Sequence, residues 1–317
     1  MRVVFMGSPE FAVPTLRHLM FDGYQVVAVY TQPDKLAGRG RPLASSPVKK
    51  VAVAWGLPLV QPTNLKKAEA VAELAGLKPD VIIVAAFGQI LPQKVLALSS
   101  YGCLNVHPSL LPKYRGASPP AAAILAGDEF SGVSIMLMDA GLDTGPVLAR
   151  AQIPISTWDN NGSLTAKLSL IAARLLGEVL SGWPRGEFTP QPQNEAEATH
   201  SGIISKEAGE IDWCLQTVVI ERRLRAFYPW PGGYTWWRGK ALKILKVVPL
   251  PDIKTVQAGQ VVALPTLVGE GPKPGFGVST NDGVLGVLKV QLEGKRAMSA
   301  AEFLRGQRQF IDAVLPC

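Results

Sequence analysis

The stretch YGCLNVHPSLLPKYRGASPP, residues 101–120, decides how the rest of the chain is parsed. Its apolar run from Cys103 to Val106 predicts a short buried strand. Side chains two apart on a strand share a face, so Asn105 and His107 point the same way where the strand gives out. Pro108 and Pro112 then stop regular structure and stiffen the next turn. Open α/β sheets bind ligands at the carboxyl ends of their strands, which makes this polar pair a site candidate by position. An amide and an imidazole together can hold a carbonyl oxygen and carry a proton, as acyl transfer through a tetrahedral intermediate requires. The carboxylate to orient the imidazole is Asp143, in the Gly-rich turn DAGLDTGPV after the strand predicted over Val133 to Met138. An isolated Asn-x-His would be read more simply, as a satisfied buried histidine at a strand–turn.

Outward from this stretch, Val3 to Met6 reads as a strand, Glu10 to Asp22 as a helix and Gln25 to Tyr30 as a second strand. This βαβ unit predicts a parallel sheet. Its first turn carries only Gly7, so the G-x-G-x-x-G dinucleotide fingerprint is absent and a nicotinamide cofactor is rejected. Val81 to Ala86 is apolar and β-branched, as a central strand buried on both faces should be. Phe87 and Gly88 follow at its carboxyl end as a candidate pocket wall. Helices are expected over Val51 to Trp55, Leu65 to Gly76 with Asn64 as its cap, Pro120 to Ala126 and Asn161 to Leu180. Short strands are expected over Leu57 to Val60 and Val147 to Ile153. The fold class is therefore α/β, a Rossmann-like, mostly parallel sheet domain over residues 1–189.

Residues 31–50, TQPDKLAGRGRPLASSPVKK, break this grammar. They hold three Pro and two Gly, with Lys35, Arg39, Arg41, Lys49 and Lys50 against the single Asp34. A loop this long inside a compact domain is usually functional. Clustered arginines beside glycines are suited to gripping phosphates.

Residues 190–205 are rich in Pro, Gln, Glu, Ala and Thr and read as an interdomain linker. Beyond them the pattern changes to one helix, Ile211 to Phe227, followed by short strands punctuated by Gly and Pro and a last helix, Glu302 to Ile311. That predicts a small, OB-like β-barrel domain over residues 206–317. The aromatic run FYPWPGGYTWW, Phe227 to Trp237, is read as barrel core and docking surface rather than as a stacking platform.

The chain has 317 residues, 47% of them hydrophobic, and a formal charge of +7. Residues 206–317 carry 15 Lys/Arg against 10 Asp/Glu, so the second domain is the more basic per residue. No apolar run is long enough to span a bilayer, which argues against a membrane partner. Cys103, Cys214 and Cys317 are scattered, show no metal spacing and fit a reducing cytoplasm.

NVHPSLLPKYRGASP followed by GLDTG resembles the formyltransferases that use 10-formyltetrahydrofolate. The resemblance implies Asn105, His107 and Asp143 as the catalytic set and Ser109, Leu110, Leu111 and Pro112 as lining of the folate pocket. It implies no metal. FMGSPEFA and QPDK-AGRGR-SPVK are similar to the tRNA-directed branch, the methionyl-tRNA formyltransferases, which usually have Thr where Ser8 stands. That branch implies initiator methionyl-tRNA as acceptor. It also makes the loop with Arg39, Arg41, Lys35 and Lys49 the segment that engages the tRNA. The alternative is a folate-dependent formyltransferase or hydrolase with a small acceptor, a nucleotide or sugar amine or water.

Overall fold

β-branched apolar runs become the central strands of a seven-stranded sheet. The computed structural model describes residues 1–36, 43–250, 253, 257–265 and 273–317. Arg39 and Arg41 lie outside the described residues. In chain order the first elements are β1 (Arg2–Gly7), α1 (Val13–Phe21), β2 (Gln25–Tyr30), β3 (Lys35–Leu36), β4 (Leu43–Ala44), α2 (Pro47–Ala54) and β5 (Leu59–Val60). They are followed by α3 (Ala68–Gly76), β6 (Val81–Ala85), α4 (Gln93–Leu96), β7 (Cys103–His107), β8 (Arg115–Gly116) and α5 (Pro119–Ala126). Then come β9 (Phe130–Leu137), β10 (Val147–Pro154), α6 (Asn161–Gly182) and β11 (His200–Ser201).

The sheet runs β10-β9-β7-β6-β1-β2-β5. Five neighbouring strands, β7, β6, β1, β2 and β5, are parallel, and β9 and β10 join antiparallel. The Rossmann-like reading therefore holds, with an antiparallel pair added beside β7. All residues of β6 and β7 are buried, as strands covered on both faces must be. Val4, Met6, Tyr30, Ile82, Val84 and Phe87 share one core cluster with Leu65 and Leu74 of the covering layer.

The chain divides into two compact units, residues 1–119, 129–155 and 163–202 in one, 120–128, 156–162 and 203–317 in the other. The second contains α7 (Thr217–Ala226), β12 (Gly233–Trp237), β13 (Lys240–Leu250), β14 (Val261–Val262), β15 (Phe276–Ser279), β16 (Val284–Leu292), β17 (Met298–Ser299) and α8 (Ala300–Gly306). Its antiparallel sheet runs β12-β13-β16-β15-β14, with β17 also on β16. Register shifts along β13 mark bulges, which bend and twist a strand toward a curled half-barrel. Trp237, Phe276, Phe303 and Phe310 fill its core, with the Trp237 and Phe310 rings edge-to-face at 5.0 Å.

Some expected elements come out differently. Asn64 does not cap α3; its side chain accepts from the N–H of Lys66 in the turn before that helix. The expected Ile211 to Phe227 helix begins only at Thr217, because Asp212 caps a turn at Cys214 while Trp213 dives fully into the core. The final helix is α8 with a separate 3-10 turn, Arg308–Phe310. The aromatic run splits: Phe227 and Trp237 are buried, whereas Tyr228, Trp230 and Trp236 are exposed. Of residues 190–205, expected as an interdomain linker, 190–202 pack with the first unit.

Candidate active site

Strand β7 carries Asn105 and His107 to its carboxyl end, where both are buried, 8% and 4% exposed. Asp143 reaches them from the loop between β9 and β10. The Asn105 amide donates to Asp143 Oδ1 at 3.2 Å, and the backbone N–H of Gly116 donates to Oδ2 at 2.9 Å. His107 Nδ1 stands 3.7 Å from the same Oδ2, too far for a hydrogen bond but close enough to feel its charge. The ring is instead oriented by its other nitrogen, which lies 2.8 Å from the carbonyl oxygen of Tyr114. A carbonyl only accepts, so Nε2 carries the hydrogen and Nδ1 of the neutral ring presents its lone pair toward Asp143.

The Asp143 loop closes tightly and is braced. Asp143 has φ +55, a left-handed conformation uncommon for a residue with a side chain though least so for Asp and Asn. Beside it, a Cβ on Gly145 would come within 1.9 Å of the Leu137 carbonyl oxygen, so only glycine lets the loop close onto β9. The bracing comes from the segment expected as linker. The Gln193 amide donates to the carbonyls of Asp143 and Gly145, both at 2.8 Å. Arg115, 2% exposed, donates twice to Gln193 Oε1 and makes a two-pronged pair with Glu195. Hydrogen bonding to Glu195 keeps the Arg115 guanidinium firmly charged. Beyond it, β11 pairs in parallel with β8, and Gly116 lets the backbone of Ser201 approach.

The candidate folate wall has two kinds of residue. Ser109 and Leu111 are buried; the Ser109 hydroxyl donates to the Tyr114 carbonyl, and Leu111 packs with Met136 and Val147. Leu110 and Pro112 are half-buried. At the end of the neighbouring β6, the Phe87 ring lies in the core, so what it offers outward is backbone. Its carbonyl accepts from Ser8 and Gln32. Gly88 and Ile90 are exposed there, Ile90 by 75%. Ser8 also accepts from the Gln32 N–H and the Thr31 hydroxyl, joining the ends of β1, β2 and β6.

In the basic loop, β3 and β4 form a two-stranded antiparallel ribbon, and α2 begins at Pro47 with Ser46 as its N-cap. Lys35 is exposed. Lys49 is not: its ammonium is 2.6 Å from Asp34 and 2.9 Å from Gln61. Those contacts hold the Asp34 carboxyl below its ordinary range. In the second unit a cleft of about 670 Å³ is lined by Arg225, Lys246 and Lys289 with Trp158 and Tyr228. The Lys246 ammonium sits 5.2 Å from the Trp158 ring centre.

Tyr114, Arg115 and Gly116 belong to the stretch first quoted, yet their roles as braces rest on backbone groups and burial that residue type does not announce. Gln193 and Glu195 gave no signal at all.

The end of a parallel-sheet strand thus brings together a buried amide and imidazole and a half-buried carboxylate. Residues 1–180 match the formyl transferase family and residues 203–308 its C-terminal domain, and the chain belongs to that family. A methionyl-tRNA formyltransferase of Dehalococcoides mccartyi is 51% identical over 98% of this chain and 97% of its own length. Proteins of the same name from Roseiflexus sp. and Marinobacter nauticus are 46% and 43% identical, over 97% and 98% of this chain and 93% and 98% of theirs. Among solved structures, an N-formyltransferase of Helicobacter canadensis in complex with folinic acid and dTDP-3-aminofucose has a TM-score of 0.65 at 19% identity, covering 90% of this chain and 97% of that one. HypX of Aquifex aeolicus in complex with tetrahydrofolic acid gives 0.61 at 20% identity, over 99% of this chain and 48% of its own. At those identities the likeness concerns the fold. Among the described residues no helix is long and apolar enough to cross a membrane.

Proposed function

We infer that this protein transfers the formyl group of 10-formyltetrahydrofolate to the amino group of the methionyl moiety of initiator methionyl-tRNA. The products are formylmethionyl-tRNA and tetrahydrofolate. The observation that carries the reading is full-length likeness, at 43–51% identity, to relatives that all bear one acceptor in their name.

The geometry supports a division of labour. The methionyl amine attacks the formyl carbon, and negative charge grows on the formyl oxygen. Asn105 has two amide hydrogens and gives one to Asp143, so the second is available for that oxygen. A proton must leave the amine. With Nε2 committed to Tyr114, the His107 lone pair on Nδ1 takes it, and the charged ring is then stabilised by Asp143 nearby. Asp143 is itself held in place by two donors, Asn105 and the Gly116 N–H. The turn Ser109 to Pro112, with Gly88 and the backbone of Phe87, walls the folate. Lys35, Arg39 and Arg41 of the basic loop, and the cationic cleft of the second unit, contact tRNA phosphates. Lys49 acts on the base of that loop through Asp34 rather than on the nucleic acid.

The test is a comparison of acceptors. Purified protein with 10-formyltetrahydrofolate should formylate charged initiator tRNA with kcat/KM orders of magnitude above that for sugar amines, nucleotide amines or water. Preference for a small amine would overturn the reading.

A further inference from the structure

Two of the three scattered cysteines meet in the fold. Asp212, Cys214 and Cys317 place a carboxylate oxygen and two sulfurs within 4.8 Å of one another, all in the second unit and far from the strand-end site in sequence. Both thiols are free and exposed.

The backbone beneath them is built firmly. Asp212 accepts the N–H of Cys214 at 2.9 Å, which fixes its carboxylate beside the turn. Trp213, between them, is fully buried, so the residues flanking it are pinned from below. On the other side, Leu315 is 1% exposed and its N–H donates to the Gly259 carbonyl, while the Val261 N–H donates to Ala313. These bonds tie residues 313–315 to the strand edge and deliver Cys317 to the turn. Three donors are thus presented by two anchored segments.

We propose that Asp212, Cys214 and Cys317 form a binding site for a soft divalent cation, zinc foremost, which clips residues 313–317 to the turn before α7. The donor set selects the ion. Thiolates favour zinc-like cations, whereas calcium and magnesium require oxygen cages. Bonds of about 2.3 Å to sulfur and about 2.0–2.2 Å to a carboxylate oxygen put tetrahedral donors roughly 3.3–3.8 Å apart. The donors already lie within 4.8 Å of one another, and the two thiols that must close on the carboxylate are exposed. Water completes the fourth position. On binding, each thiol loses its proton to solvent; no oxidant is involved. A disulfide would need the two sulfurs and would have no use for the carboxylate between the same segments. The site lies outside the formyl-transfer chemistry, so it does not depend on that reading.

The experiment uses the full chain, stripped of metal, kept reduced by a phosphine and titrated with cobalt(II). A sulfur-to-cobalt charge-transfer absorption should rise and saturate at one equivalent per chain, and zinc should bleach it. C214S and C317S should each abolish it. D212N should keep the absorption with cobalt bound at least tenfold more weakly. All three variants should retain formyl transfer, which shows that they fold. Absence of the absorption in the reduced wild-type chain would overturn the proposal, as would its persistence in C214S. Formation of a Cys214–Cys317 disulfide in air, with no cobalt taken up by the reduced form, would also overturn it.

Discussion

The two sheets treat polar residues in opposite ways. In the first, β6 and β7 are buried along their whole length, Asn105 and His107 with them, and the polar groups that meet them, Asp143 and Gln193, are half-buried. These groups are bonded to one another: Asn105 to Asp143, His107 to Tyr114, Gln193 to the Asp143 loop. In the second, β13 alternates between exposed and buried positions and presents its lysines outward. A buried polar network fails as a unit when one member is lost, because the partners are left unpaired in a low dielectric. Exposed cations act nearly independently and are screened by salt. The first unit should therefore hold a few residues with large effects, and the second many residues with small ones.

The largest effects test the network. Asp143→Asn should lower kcat by about 10²–10⁴, because proton transfer to His107 loses the charge that stabilises the protonated ring. Asn105→Ala should cost about 10²–10³, as the loss of one oxyanion donor does, and His107→Ala, which removes the proton acceptor, about 10²–10⁴. Steady-state formylation of charged initiator tRNA by the folded variants measures all three. Near-normal turnover in His107→Ala would remove the imidazole from the chemistry.

Next in size is Arg39→Ala. Removing a hydrogen bond to a charged group costs about 1.5–3 kcal/mol, or roughly ten- to more than a hundredfold in kcat/KM for tRNA. Lysine should not fully rescue, because it lacks the planar fork of donors. Folate affinity, measured on the same variant, should hardly change.

Gln193 sharpens the contrast from within the first unit. Its side chain donates to two carbonyls of the Asp143 loop, a bracing position rather than a reacting one. At about 0.5–1.5 kcal/mol per bond, Gln193→Ala should lower kcat about five- to more than a hundredfold. KM for tRNA should stay put, which distinguishes a positioning role from weakened binding. Gln193→Glu, which keeps the shape but replaces donors with acceptors, should do no better.

In the second unit, Lys246→Ala and Lys289→Ala should each weaken tRNA binding severalfold and leave kcat alone. Each should also flatten the plot of log Kd against log salt by about one unit for every phosphate that the lysine neutralises. A drop in kcat without a change in salt dependence would break the comparison.

The smallest effect is acid sensitivity at the ribbon. Asp34 has its folded pKa lowered by the hydrogen bonds from Lys49 and Gln61. Its contribution to stability is therefore complete above the unfolded value, about 4, and is lost as pH falls through the folded value. Thermal melts of wild type and Asp34→Asn should converge on acidification.

What could be read from the chain follows the same division. β2 matches its expected bounds because its apolar run states its own limits, and β7 differs only by including His107. Asn105, His107 and Asp143 were legible because alternation and a Gly-rich turn place them together. The braces were not. Residues 190–202 read as loose because Pro, Gln and Glu are hydrophilic, and composition does not record that Gln193 and Glu195 face a buried guanidinium. Trp213 breaks the expected helix by its burial, which helical spacing cannot foresee. Cys214 and Cys317 meet only because the chain folds back on itself.

The docking of residues 190–202 also fixes where this chain can be divided. A catalytic fragment cut at 189 would lose Gln193, Glu195 and β11, and with them the support beneath Asp143. A fragment ending after Gly202 would keep Gln193, Glu195 and β11 beneath Asp143. Any exchange of second domains between relatives must therefore join downstream of Gly202 and match residues 120–128 and 156–162, which pack with the second unit, and recipients joined upstream of Gln193 inherit a catalyst without its scaffold.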